Sequence, residues 1–306
     1  MMSTSMSSRK NVIVLDGGTG TSLAKLGHSV EDVTWCSELI KTHPHHVKKV
    51  HKDYFMAGAD VVCSSTYQAF VDGFVQQFAV SEQEALSLIR RGVELAKEAR
   101  DEAELKTGRH GFVAASVGAY GATLCDRSEY SGVYVDNMSR EELYSWHLPR
   151  MRVLWDAGPD LLACETIPAL EEALALVQCL ETLKVKAWLT FSLKDAKSTA
   201  HGEDIRVALA AVVSSPCIVA VGANCFSLAL VDGFLRYVKD LPLFDKPLII
   251  KPNAENSEHD KSLTKKFKIH ERVVDWVDGG ACWIGGCCAT DSMDIACPQS
   301  GIRANI

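Results

Sequence analysis

The feature that most restricts how this chain can fold is a repeated alternation. Short apolar runs at residues 11–15, 60–65, 111–117, 160–164, 187–192, 218–221, 248–250 and 281–284 are separated by stretches with helical periodicity. The intervening patterns fall at 43–57, 81–106, from Ser139 to about Gly158, then at 170–183, 204–213, 228–238 and 264–277. Ser139 with Glu142 forms a capping-box pattern, and Pro149 is expected to interrupt the helix that follows it. Strands separated by helices pair in parallel through right-handed crossovers. Eight such units in 306 residues predict an α/β fold, a single (β/α)8 TIM barrel over residues 11–306. Residues 1–10, MMSTSMSSRK, read as a disordered N-terminal tail.

The barrel expectation decides where chemistry should be sought, because functional groups in such folds gather at the carboxyl ends of the strands. Two adjacent thiols, Cys287 and Cys288, follow the last run, and Cys225 follows the sixth in Gly222-Ala223-Asn224-Cys225. Vicinal cysteines cannot comfortably bond each other. A soft metal explains them better, and three thiolates with a fourth position left for a substrate describe a catalytic zinc site. Asp16 ends the first run ahead of a glycine-rich turn, and Glu165 ends the fourth, where a desolvated carboxylate requires a partner. The glycines after Asp16 match neither a dinucleotide fingerprint nor a P-loop. His43, His45, His46 and His51 cluster among lysines and read as a solvated helix face. The polar stretch at 123–137 is long enough to be a functional loop.

Charge and composition narrow the partners. A formal net charge of -7 and 23% charged residues argue for small-molecule chemistry and against a phosphate-tracking surface, so no nucleic acid is expected. No apolar run approaches the roughly 18 residues of a membrane span, and the first ten residues lack the apolar segment of a secretory signal. The 11 cysteines are scattered, which suits free thiols in a reducing, cytoplasmic setting. Cys63, Cys164, Cys179, Cys217 and Cys282 lie in apolar runs and are expected to be small core residues. A monomer or small homo-oligomer is expected.

Taken together, DGGTG after the first strand, AGADVVCSSTYQA at the second, SVGAYGA at the third, CETIP at the fourth, GANC at the sixth and GGCC at the eighth resemble the zinc-dependent homocysteine S-methyltransferase family. The resemblance implies that Cys225, Cys287 and Cys288 bind zinc. It also implies that Asp16 and Glu165 hold the amino group of homocysteine, with backbone near Gly17 and Gly18 receiving its carboxylate. Trp35 and the segment Ser65, Thr66, Tyr67 and Gln68 would face substrate and donor. The implied partners are L-homocysteine and a methyl sulfonium donor, S-methylmethionine or S-adenosylmethionine. The barrel's length resembles the sulfonium-using class more than the longer betaine or cobalamin enzymes. The chain departs from the pattern at Lys251-Pro252-Asn253-Ala254-Glu255, where many relatives carry Tyr-Pro-Asn-Ser-Gly-Glu, and that loop is given no role in donor recognition. Two other readings fit single features: an aldolase-like barrel with a Schiff-base lysine at Lys251 or Lys194, and a non-enzymatic zinc store or thiol redox sensor.

Overall fold

The computed structural model describes residues 12–29, 35–243, 246–254 and 269–296. Eight parallel strands follow one another in the described chain: β1 (Ile13–Val14), β2 (Val61–Cys63), β3 (Phe112–Gly118), β4 (Leu161–Ile167), β5 (Ala187–Phe191), β6 (Ile218–Ser227), β7 (Leu248–Asn253) and β8 (Ala281–Ile284). Each pairs with its neighbours in sequence, and β1 also pairs with β8. A parallel bridge between Leu15 and Val61 joins β1 to β2 and closes the ring. The expected TIM barrel is therefore present. The expected tail at 1–10 lies outside the described residues.

Two apolar layers hold the barrel. The floor of its interior is filled by Leu15, Val61, Cys63, Ala114, Ala163, Trp188, Ala220 and Ile249. Alanines on β3, β4 and β6 leave the volume that the fully buried Trp188 ring occupies, edge-on to Trp283 at 5.9 Å between centroids. Truncating a buried tryptophan of this kind costs about 3–5 kcal/mol. The second and larger layer lies between the outer faces of the strands and the apolar stripes of the surrounding helices. None of the described helices is long and apolar enough to cross a membrane.

Several elements differ from the sequence reading in ways that matter for the site. The helix Arg140–Asp156 keeps the expected capping box but runs straight through Pro149. Its next residue, the buried Arg150, donates to the carbonyls of Gly118 and Thr66, both at 3.1 Å, and to that of Tyr67. Those tertiary bonds, together with packing on the barrel, outweigh the backbone bond that proline removes. Strand β6 continues to Ser227, well past its apolar run, because Ala223 and Asn224 still pair with Ile250 and Lys251 of β7. Gly222 permits this closeness, since a Cβ there would stand 2.0 Å from the carbonyl oxygen of Ile249. The helix that precedes β8 spans Ile269–Asp278, and the expected start of that helix lies outside the described residues.

His51 departs from the solvated-face reading. It is fully buried on the helix Pro44–Ala57, with neither ring nitrogen hydrogen bonded, and burial pushes its pKa down to about 4. It sits one turn after Val47 and one turn before Phe55, on the stripe that packs against the barrel, so helical periodicity outvoted polarity.

Candidate active site and metal centre

The carboxyl ends of the strands surround a cavity of about 670 Å³. At one side of it Cys225, Cys287 and Cys288 converge, their sulfurs all within 4.8 Å of one another. Cys225 Sγ lies 3.0 Å from Cys287 Sγ and 3.5 Å from Cys288 Sγ, and the Tyr130 hydroxyl lies 3.3 Å from Cys225 Sγ. Local backbone aims these thiols. Cys225 has φ +57° within a register shift between β6 and β7, so its side chain leaves the pleat and turns into the barrel mouth. Cys287 N–H donates to the Pro252 carbonyl and Cys288 N–H to Asn253 Oδ1, at 2.9 and 3.0 Å. Gly18 allows the Cys287 carbonyl to approach, since a Cβ on Gly18 would meet that oxygen at 2.5 Å.

A second register shift, in β4, lies at Glu165 and Thr166, and Thr166 too has positive φ, +61°. One side chain stabilises both irregularities. Asn224 Oδ1 accepts from Thr166 N–H at 2.7 Å and from the Thr190 hydroxyl at 2.8 Å, while its Nδ2 donates to Thr166 Oγ1 at 2.8 Å. Left-handed geometry in a non-glycine residue costs about 1–2 kcal/mol, which buried hydrogen bonds of this kind offset. Asn224 therefore fixes the directions of Glu165 and Cys225 together.

Across the cavity lies a buried charge cluster. Asp16 Oδ2 accepts from the Cys63 N–H and its Oδ1 accepts from Lys251 Nζ, both at 2.7 Å. Lys251 Nζ also stands 3.8 Å from Glu165 Oε2, and the Ser116 hydroxyl donates to Glu165 Oε1. Burial pushes the Glu165 carboxyl above its usual range, against the opposing pull of Lys251 and Ser116. For Lys251 burial acts downward, but the Asp16 carboxylate, followed by Cys63 and Glu165, outweighs it and holds the ammonium well above the ordinary lysine range. A lysine held protonated in this way has no lone pair for Schiff-base chemistry. Lys194 is exposed on the small hairpin Leu193–Asp195 with Ser198–Thr199, and it does not line the cavity.

The cysteines fit a metal. Cys287 is held well above the usual thiol range by its hydrogen bond to Cys225 and by burial. At Cys225 the bond from Cys287 acts downward, but the bond to Cys288 and burial prevail, and the net shift is again strongly upward. Three clustered thiols that resist ionisation become thiolates when a cation takes the place of their protons. Zinc about 2.3 Å from each of three tetrahedrally arranged sulfurs sets them about 3.8 Å apart. The observed spacings of 3.0 and 3.5 Å require only small outward movements to reach that value.

The other sequence-predicted residues divide. Gly17, Gly18, Ser65, Tyr67 and Gln68 line the cavity. Thr66 does not. It is fully buried in a turn closed by the Ala69 N–H to the Thr66 carbonyl, and its hydroxyl is bonded to the Ser116 carbonyl and to Ser64. The Gly18 N–H is engaged by Thr290, at 3.0 Å to Oγ1 and 3.2 Å to the carbonyl. Trp35 begins the 3-10 turn Trp35–Glu38, and its side chain lies outside the described residues. Cys63 is buried as expected, yet it also lines the cavity and supplies a backbone donor to Asp16.

Sequence reasoning gave no binding role to Ser116, Arg127, Glu129, Tyr130, Asn224 or Lys251, all of which line the cavity. Arg127, Glu129 and Tyr130 belong to the long polar stretch, which folds into 3-10 turns at Ser128–Tyr130 and Val133–Asp136. Glu129 Oε2 is buried without a hydrogen-bond partner, and burial raises its carboxyl above the usual range. For these three residues the length of that stretch was the only signal.

Fold and site together define a barrel enzyme with a cysteine cluster suited to a metal at the mouth. The homocysteine S-methyltransferase family matches residues 13–298, and the chain belongs to that family. Homocysteine S-methyltransferase 4 of Zea mays is 38% identical, over 95% of this chain and 89% of its own length. A selenocysteine Se-methyltransferase of Brassica oleracea var. italica is 34% identical, over 92% and 86% respectively. Among solved structures, the metallated form of the homocysteine methyltransferase MmuM from Escherichia coli superposes with a TM-score of 0.85 at 34% identity, covering 96% of this chain and 97% of that one.

Proposed function

We propose that this chain transfers a methyl group from a cationic methyl sulfonium, S-methylmethionine or S-adenosylmethionine, to the thiol of L-homocysteine, giving methionine. The observation that carries the reading is the pairing of three convergent sulfurs with two buried carboxylates across one cavity. Cys225, Cys287 and Cys288 would hold zinc, which when bound supplies acidification of an acceptor thiol at neutral pH. The acceptor's sulfur pair forms the new carbon–sulfur bond, and the breaking bond's pair returns to the donor sulfur, leaving a neutral thioether. No proton moves in that step, so no general base is needed beyond the loss of the thiol proton.

The chain's own residues bind, orient and exclude water. Asp16 and Glu165, with Lys251 between them, form the acceptor end of the cavity, and Tyr67, Tyr130 and Glu129 give the donor's cation aromatic faces and a buried carboxylate. Clustered reduced thiols suit a cytoplasmic setting; the ten described cysteines are all free. The test is methionine formation by the purified chain with homocysteine and each donor, with bound zinc quantified. Turnover that depends on zinc and on Cys225 supports the reading. Zinc binding without methionine from either donor rejects it.

A further inference from the structure

The carboxylate side of the cavity already contains a cation. Lys251 is 3% exposed, and its ammonium stands 2.7 Å from Asp16 Oδ1, 3.8 Å from Glu165 Oε2 and 3.6 Å from Cys63 Sγ. The remaining carboxylate oxygens are engaged as well, Asp16 Oδ2 by the Cys63 amide and Glu165 Oε1 by the Ser116 hydroxyl. Two carboxylates that would otherwise present a pair of desolvated negative charges to an incoming ammonium are thus bridged by an ammonium belonging to the protein. An acceptor amino group aimed at the same pair must either stand beside Lys251, as a like charge in a poorly screened pocket, or displace it.

Acceptor choice in such a barrel depends on individual pocket residues, not on the scaffold. The relatives illustrate the point, since proteins named for homocysteine and for selenocysteine both match this chain, at 38% and 34% identity. We propose that Lys251 is a specificity-determining residue that occupies the ammonium seat of the acceptor subsite. The α-amino group then contributes little to recognition, and the acceptor class extends to thiol carboxylic acids that lack it. This inference rests on the methyl-transfer reading above and refines its acceptor.

The experiment compares homocysteine with 4-mercaptobutanoate, the same carbon chain without the amino group, as acceptors for the zinc-loaded full-length protein with S-methylmethionine as donor. The quantity read is the ratio of the two kcat/KM values, in the wild type and in Lys251→Met and Lys251→Gln. Circular dichroism and zinc content establish that the variants are folded and loaded, and Gln keeps hydrogen-bonding capacity where Met leaves the carboxylates bare. The expected wild-type ratio is within about tenfold, rising at least tenfold when the ammonium is removed; a loss of that size is one good charged contact. A ratio that stays constant or falls overturns the inference. If neither variant folds, a wild-type ratio above tenfold overturns it and one within tenfold sustains it. If the wild type methylates neither thiol, the transfer reading fails by itself. Calorimetric titration of both thiols into wild type and variants then decides the role of Lys251 by the same ratio, taken from affinities.

Discussion

The two sides of the cavity are built on opposite principles. On the sulfur side, three thiols meet with one another and the Tyr130 hydroxyl as their described partners, and a cation would take the place of their protons. On the carboxylate side, Asp16 and Glu165 carry their own counter-ion in Lys251 and a donor on each flank. One side is completed from outside and the other is completed by the fold. The sulfur side should therefore be dispensable for folding and indispensable for chemistry, whereas the carboxylate side should matter to both.

The sharpest way to break that contrast is to remove one sulfur. Cys225→Ala should abolish stable zinc binding and lower methyl transfer at least about a thousandfold, because the metal's contribution of several kcal/mol disappears. In the metal-free protein the same change should alter unfolding free energy by only about 1 kcal/mol. Zinc analysis, steady-state rates and chemical denaturation check the three parts, and a metal-free variant much less stable than the parent would show that the thiols are structural.

On the opposite side, Asp16→Ala should destabilise the metal-free protein by about 3–5 kcal/mol, since it strands the buried Lys251 ammonium and a backbone donor. Urea denaturation of the two variants in parallel tests the asymmetry directly. Equal losses would erase the distinction.

Acid sensitivity gives a third test, away from both sides of the cavity. His51 has a folded pKa of about 4 against about 6.5 when unfolded. Between those values the unfolded chain binds the extra proton, so stability is fully present above about pH 6.5 and is lost as pH falls toward 4, by up to roughly 3 kcal/mol. His51→Leu should flatten the melting temperature across that window while leaving neutral-pH activity intact. An unchanged acid slope would move the origin of the effect elsewhere, with His147, the other buried histidine whose pKa burial lowers, as the next group to examine.

What the sequence disclosed follows from the same physics. The barrel was legible because each strand is a short apolar run and each helix has its own periodic stripe, so the strand and helix order needed no tertiary information. The convergent cysteines were legible because vicinal thiols at a strand end cannot comfortably pair with each other, and a soft cation is the partner that suits them. Asn224 was not, because its work is to bond Thr166 and Thr190 across strands, and nothing in GANC states which side chains will lie beside it. Lys251 drew notice in the sequence as a departure from a pattern and as a Schiff-base rival, but its pairing with Asp16 joins residues at opposite ends of the chain. His51 was misread because a polar residue can occupy an apolar stripe when its neutral form is buried, at the cost of its proton.

The finest distinction concerns Ser116, which holds Glu165 on the flank away from Lys251. Removing its hydroxyl leaves the ion pair in place and takes away only orientation. Ser116→Ala should therefore cost about 1.5 kcal/mol, the worth of one hydrogen bond to a charged group, or roughly tenfold in kcat/KM. Glu165 is assigned to acceptor binding and not to the transfer step, so the loss should fall on KM for the acceptor, with kcat and bound zinc unchanged. If kcat falls instead, Glu165 acts during the transfer, and the two sides of the cavity are coupled more closely than their separate constructions suggest.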